Sequence, residues 1–147
     1  MDRGESLVAG TNRATPHTFQ FCEKSLNDVS REALLGTFNV GANPRGIAFD
    51  GAAMWTANEG SNNVTKLRAS DGALLGTFNV GTAPEFLTFD GVNIWVTNVN
   101  SGNVSELRAS DGAILGTFTA GSQPYAIAFD GAYIWVANNG DGTVSKL

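Results

Sequence analysis

The sequence predicts an all-β fold, a partial β-propeller of about three blades, in which four antiparallel strands form each blade of about 40 residues. The first observation is a repeat: Leu34–Gly41 returns letter for letter as Leu74–Gly81 and, with changes, as Ile114–Gly121. The second is that Phe-Asp-Gly and a Trp recur once per unit, at Phe49 and Trp55 in the first complete unit. The third is that short apolar runs alternate with turn residues, without the apolar spacing of a helix.

Four strands are predicted in each unit, named here from the propeller axis outward. In the first complete unit they are the inner strand Gly46–Asp50, the second Met54–Asn58, the third Val64–Leu67 and the outer Leu74–Val80. The inner strand is apolar on both faces, as expected for a strand packed between two neighbouring blades. The Asp50-Gly51 pair that follows it predicts a type I′ hairpin turn, because glycine adopts a positive φ without steric cost.

The blades do not add up to a closed ring. The chain is predicted to contain an outer strand at Leu34–Val40, two complete four-stranded units, and three strands of a last blade ending at Leu147. Closed propellers have about four to eight blades. Either these blades are part of a longer propeller, or copies associate, and two copies would give a six-bladed ring with exchanged closing strands. Residues 1–33 are interpreted as an irregular lead-in or a decayed blade strand.

Composition and charge exclude several classes of function. The net charge is −5 and no Lys/Arg cluster is present, so a nucleic-acid partner is not expected. No stretch approaches the roughly 20 apolar residues of a membrane span, and Leu7–Ala9 is too short for the apolar part of a signal peptide. Cys22 is the single cysteine, which rules out an intrachain disulfide and a cysteine-based metal site.

Two short motifs carry a family resemblance. Ile94–Asn98 (IWVTN) resembles the YVTN signature with Trp in place of Tyr, and Gly81–Pro84 matches the Gly-x-x-Pro motif that precedes the inner strand. Over residues 34–147 the chain is similar to bacterial YVTN, NHL and streptogramin-lyase-like propellers. The resemblance implies six or seven blades in the intact protein and would suit a bacterial cell surface or periplasm. It implies function weakly, because this fold hosts ligand binding, cell-surface roles and some catalysis.

The enzymatic branch of that resemblance implies a histidine and carboxylate site with Mg²⁺. His17 is the only histidine of the chain and lies outside the repeats, so no family site can be placed on these blades. We therefore predict no catalytic residue, no metal site and no cofactor, and interpret the chain as a non-enzyme. An alternative is a lyase-like propeller whose catalytic blades lie elsewhere.

Two sets of repeated residues have a functional and a structural interpretation. Trp55, Trp95 and Trp135 could form an aromatic ligand platform, but their identical register favours packing between blades. The Asp residues of the Phe-Asp-Gly motif could form a ring that holds a cation, but the glycine after each favours a turn role. Neither set is predicted to bind a ligand.

Positions that differ between units are the candidates for ligand contact, because residues that are identical in every unit are explained by the requirements of the fold. They fall in two loops of each unit, which are predicted to emerge on one face around the central channel. Random drift of exposed loops explains the same variation. The candidate residues are Arg45, Glu85 and Tyr125 after the proline, and Glu59, Val99, Asn100 and Asn139 before the third strand.

These observations favour a non-catalytic binding or scaffolding module that recognises a protein, peptide or glycan on this mixed to acidic face. The face disfavours anionic partners, and neither nucleic acid nor a membrane is expected as a partner. A further alternative is structural: a self-assembling repeat that closes a six-bladed ring as a dimer.

Overall fold

A computed structural model describes residues 34–147 of the chain. Within these residues the strands form three antiparallel sheets, in which each strand pairs with the next along the chain. Blade 1 contains β1–β4, blade 2 contains β5–β8, and blade 3 contains β9–β11. The strands are β1 (Pro44–Phe49), β2 (Ala53–Asn58), β3 (Asn63–Arg68), β4 (Leu74–Asn79), β5 (Pro84–Phe89), β6 (Asn93–Asn98), β7 (Asn103–Arg108), β8 (Ile114–Thr119), β9 (Pro124–Phe129), β10 (Ile134–Asn138) and β11 (Thr143–Lys146).

The predicted all-β fold of four-stranded propeller blades is confirmed. The inner strands β1, β5 and β9 contact one another in sequence, which places them nearest the axis as expected. In blade 1, both ends of each observed strand lie within two residues of the predicted ends. The turn type differs from the prediction: Gly51 has a φ of 97°, but neither Asp50 before it nor Ala52 after it has a positive φ. A type I′ turn needs a positive φ at both central residues, so this hairpin turn is of another type.

The predicted outer strand at Leu34–Val40 is not a strand in the structure. An outer strand exists by pairing with the third strand of its own blade, and the described residues contain no such strand before β1. Residues 36–40, here called the leading segment, nevertheless lie where an outer strand would lie. A methyl group at Gly72 would overlap the ring of Phe38, just as one at Gly112 would overlap the ring of Phe78 in β4.

The hydrophobic core lies in the seams between neighbouring blades. Trp55 and Val64 of blade 1 share one buried cluster with Leu87, Ile94 and other residues of blade 2. A second cluster joins blades 2 and 3: Val104 is packed with Ile134 and Val136, and Trp95, Ile127 and Phe129 border it. The packing role predicted for the tryptophans therefore holds in both seams. The predictions for residues 1–33 lie outside the described residues.

Candidate functional site

The two variable loops of each blade lie side by side at one end of the blades. In blade 1 the Glu59 backbone N–H donates to the Asn43 carbonyl at 3.0 Å, and the Gly60 N–H donates to the Ala42 carbonyl at 3.0 Å. The same pair of hydrogen bonds recurs in blades 2 and 3. This end of the blades is called the loop face below; it is formed by the loop before each inner strand, the first residues of that strand and the loop after each second strand. The prediction that Arg45, Glu85 and Tyr125 lie in loops is wrong, because each is the second residue of an inner strand.

Three of the candidate residues meet on the loop face at the seam between blades 1 and 2. The Arg45 Nε donates to Glu59 Oε2 at 2.8 Å, and its Nη2 lies 2.7 Å from the same oxygen. The same Nε lies 3.8 Å from Glu85 Oε2 on the neighbouring blade. Arg45 is half exposed, whereas the Glu85 side chain is almost fully buried. One guanidinium thus serves two carboxylates, and only Glu59 is bound at hydrogen-bond distance.

Glu59 and Glu85 are called the carboxylate pair below. Burial has the largest effect on the pKa of Glu85. Loss of solvent raises the pKa of Glu85, and the negative charge of Glu59 adds to the effect, while Arg45 opposes it. The hydrogen bond to Glu59 and then its charge raise the pKa of Arg45. The guanidinium is therefore fixed in its charged form, whereas burial favours the protonated form of Glu85.

An aromatic pair lies at the next seam. The rings of Phe86 and Tyr125 are 5.0 Å apart between centroids and inclined at 63°, an edge-on arrangement, and both side chains are partly exposed. Below them the buried Thr97 hydroxyl donates to the Tyr125 carbonyl of blade 3 at 2.7 Å. The hydroxyl oxygen of Thr97 also accepts a hydrogen bond from the Phe86 N–H at 3.1 Å. Thr97 thereby connects the inner strands of two blades.

Phe86 and Thr97 were not among the predicted candidates. A signal for each was present in the repeat, because position 86 corresponds to Gly46 and Ala126, and position 97 corresponds to Ala57 and Ala137. The remaining predicted candidates, Val99, Asn100 and Asn139, lie in the corresponding loops of blades 2 and 3, with Asn100 and Asn139 exposed. They are on the loop face but do not join the contacts around Arg45.

The opposite end of the blades contains the repeated Asp residues, and here the predicted turn role is confirmed. The Asp130 Oδ1 accepts the N–H groups of Ala132 and Tyr133 at 2.8 and 2.7 Å, and its Oδ2 accepts the Trp135 indole N–H at 2.7 Å. Asp50 and Asp90 make the equivalent bonds. The indole bond, then the two backbone bonds, lower the pKa of Asp130. The bond to Trp was not predicted from sequence.

Among residues 34–147, no three histidine, cysteine or acidic side chains group closely enough to hold a metal ion. In that part of the chain, no helix has the length and apolar character needed to cross a membrane. His17 lies outside it.

No protein-family model matches this chain, and no curated protein sequence matches it either. Solved structures do match it, at identities that indicate the fold alone. Hydrazine synthase from Kuenenia stuttgartiensis is 24% identical with a TM-score of 0.66, over 78% of this chain and 36% of that one. A protein of unknown function from Desulfotomaculum acetoxidans is 22% identical with a TM-score of 0.60, over 74% of this chain and 42% of that one.

A streptogramin B lyase structure is also similar, with 21% identity and a TM-score of 0.53, over 72% of this chain and 40% of that one. The chain therefore spans less than half the length of these solved structures. The comparisons agree with the blade architecture, and the neighbours include enzymes.

Proposed function

We propose that this chain is a non-catalytic β-propeller module that binds a basic peptide segment on its loop face. The contact residues are the carboxylate pair of Glu59 and Glu85, together with the aromatic rings of Phe86 and Tyr125. The observation that carries the proposal is that a single guanidinium, of Arg45, lies beside two carboxylates: it is hydrogen-bonded to Glu59 and lies 3.8 Å from Glu85.

The chemistry of these groups suits a cationic side chain. A lysine or arginine of the ligand would add the second positive charge that the two carboxylates lack. Exposed aromatic rings attract the same cations through their π faces. The chain as a whole is acidic, with a net charge of −5, and this favours encounter with basic partners.

The finer family assignment belongs to the same proposal. The IWVTN and Gly-x-x-Pro motifs support membership of the bacterial YVTN and NHL-like propellers. Catalysis is not part of the proposal, because the blades contain no histidine for a lyase-type site.

Fluorescence anisotropy with a labelled peptide of alternating lysine and glycine tests the proposal. Glu85→Gln should weaken binding by about tenfold, because it removes the charge and keeps the shape. Arg45→Gln should strengthen binding by a similar factor, because it frees both carboxylates. Effects of opposite sign from two adjacent residues are not expected from a general loss of folding.

Glu106→Gln is the matched control, since it makes the same chemical change in β7, away from the loops. A peptide with glutamine in place of lysine should not bind. The proposal fails if the two peptides bind alike, or if Glu106→Gln has the same effect as Glu85→Gln. Binding of a neutral glucose hexasaccharide in place of the lysine peptide would identify a glycan-binding face instead.

A further inference from the structure

Blade 1 and blade 3 each expose an apolar face that is buried at every inner seam. The face of blade 1 turned away from blade 2, here called the leading face, contains Ile47 and Phe49. Ile47 is 66% exposed, whereas Leu87, its counterpart in blade 2, is 7% exposed. The face of blade 3 turned away from blade 2, here called the trailing face, contains Trp135 and Val144.

The trailing face shows the same contrast with its inner counterparts. Val144 is 63% exposed, whereas Val64 and Val104 are fully buried. Between Trp135, Val144 and Ala128 the surface forms an apolar groove. Exposed apolar surface of this kind marks a binding surface.

The two faces are complementary, because the same pair of faces is packed together twice within the chain. At the first seam, Leu87 of blade 2 shares a buried cluster with Trp55 and Val64 of blade 1. In a contact between the leading face and the trailing face, Ile47 would take the place of Leu87. Trp135 and Val144 would take the places of Trp55 and Val64.

The backbone edges are complementary as well. β11 is the third strand of blade 3, and within the described residues it has no outer strand beside it. The leading segment has the sequence and position of an outer strand, and residues 34–147 contain no third strand beside it. In blades 1 and 2, Thr65 pairs with Thr77 and Ser105 pairs with Thr117. The same register would pair Ser145 with Thr37.

A lysine at the same position of blades 1 and 3 also supports contact between the two faces. Lys66 of β3 lies over the Trp55 ring and donates across the seam to the carbonyls of Ala109, at 2.5 Å, and Ser110, at 3.2 Å. Lys146 occupies the equivalent position in β11, exposed and over the rings of Tyr133 and Trp135. Its equivalent acceptors are the carbonyls of Ala69 and Ser70 in blade 1.

We propose that a second copy of this chain covers both faces, head to tail, and that two copies form a six-bladed ring. Two copies of the three described blades give six blades, which lies within the range of about four to eight over which propellers close. A head-to-tail interface with this rotation closes on itself and does not extend into a filament. In each copy, β11 pairs with the partner's leading segment. The proposal is independent of the ligand assigned to the loop face.

Size-exclusion chromatography with light scattering on the full chain is the first test. We expect a mass of twice 15.4 kDa at high protein concentration. Ile47→Lys should shift the chain to the monomer, because it places a charge in the apolar seam. Val92→Lys is the matched control: Val92 is as exposed as Ile47 but lies in a hairpin turn outside both faces, and this variant should stay dimeric.

Lys146→Glu should raise the dimer dissociation constant by about tenfold without unfolding the chain. The side chain that it introduces already occupies the equivalent position of blade 2, as Glu106. Lys146→Arg should retain the dimer, since it keeps the donor and the charge.

Disulfide trapping tests the strand register. Residues directly opposite in an antiparallel pair have Cα atoms about 4.5–5.5 Å apart, within disulfide reach. In a Cys22→Ser background, the pair Thr37→Cys and Ser145→Cys should oxidise to a covalent dimer. The control pair Thr117→Cys and Ser145→Cys should not, because β8 already pairs with β7 in its own blade.

A monomeric chain at high concentration would overturn the proposal, and so would a folded dimer that survives Ile47→Lys. Long polymers, or a trimer, would overturn the ring of two. Equal trapping by both cysteine pairs would overturn the predicted register.

Discussion

Trp55 and Trp135 occupy the same position in two blades, yet one is fully buried and the other is 38% exposed. Both donate their indole N–H to the Asp of the preceding turn, at 2.8 and 2.7 Å. Their local structure is therefore the same, and the difference comes from the neighbouring blade. Blade 2 covers Trp55, whereas the described residues contain no blade that covers Trp135.

The comparison shows which parts of a blade are determined by its own sequence and which by its neighbour. The hairpins, the Asp–Trp bond and the strand pairing are repeated in every blade. Burial of the apolar faces depends on the blade that follows, as in other repeat proteins whose stability is a sum of unit and interface contributions. The inner seams and the open faces should accordingly respond differently to the same substitution.

The largest difference is expected from removing the tryptophans. Trp55→Ala should lower the free energy of unfolding by about 3–5 kcal/mol, because it empties a filled inner seam. Trp135→Ala should cost the isolated chain clearly less, since its side chain is already partly in water. Urea unfolding followed by circular dichroism at low protein concentration measures both.

Raising the protein concentration sharpens this prediction. The wild-type chain should gain stability with concentration, because association adds to the free energy of unfolding, and Trp135→Ala should lose that gain. Equal costs for the two substitutions at low concentration would contradict the distinction between inner and open faces.

A smaller effect is expected at the seam between blades 2 and 3, where the Thr97 hydroxyl donates to the Tyr125 carbonyl of the next blade. Thr97→Ala should lower the free energy of unfolding by about 1–3 kcal/mol, because it leaves the Tyr125 carbonyl without its donor. Thr97→Ser retains the hydroxyl and should recover most of the stability. If the serine variant is as unstable as the alanine variant, the hydrogen bond is not the cause.

The smallest effect is a pH dependence at the first seam. Burial raises the pKa of Glu85 above its ordinary value of 4.5, so the protonated form is the one that folding favours. The contribution of Glu85 to stability is therefore greatest below that value and is lost as the pH rises through the raised pKa. Glu85→Gln should be more stable than the wild type at neutral pH.

Chemical denaturation of both proteins between pH 4 and pH 7 measures this difference. It should shrink toward acid pH, where Glu85 is protonated in both the folded and the unfolded state. A difference that stays constant across this range would show that the charge of Glu85 is not responsible.

The repeat made most of the fold predictable from sequence. Strand order, blade size and the Asp turns follow from residues that lie close together in one unit, such as Asp50, Gly51 and Trp55. Leu34–Val40 was wrongly predicted to be a strand because its sequence matches β4, but a strand also requires a partner. Sequence shows the propensity of a segment and not the presence of its neighbour.

The candidate site was predictable in part for the same reason. Variation between units pointed to Arg45, Glu59 and Glu85, which the structure brings together. It did not reveal the burial of Glu85 or the bond from Thr97 to blade 3, because both arise from contacts across a seam. Such contacts do not appear within the period of a single unit.

Amide hydrogen exchange of β11, compared with β7, tests the central claim that a second copy of the chain covers the leading and trailing faces. The two strands are equivalent, and β7 is paired on both edges within the chain. The amides of β11 that do not bond to β10 should be protected at high protein concentration and exchange rapidly on dilution, while β7 stays protected throughout. Rapid exchange of those amides at every concentration would contradict the claim.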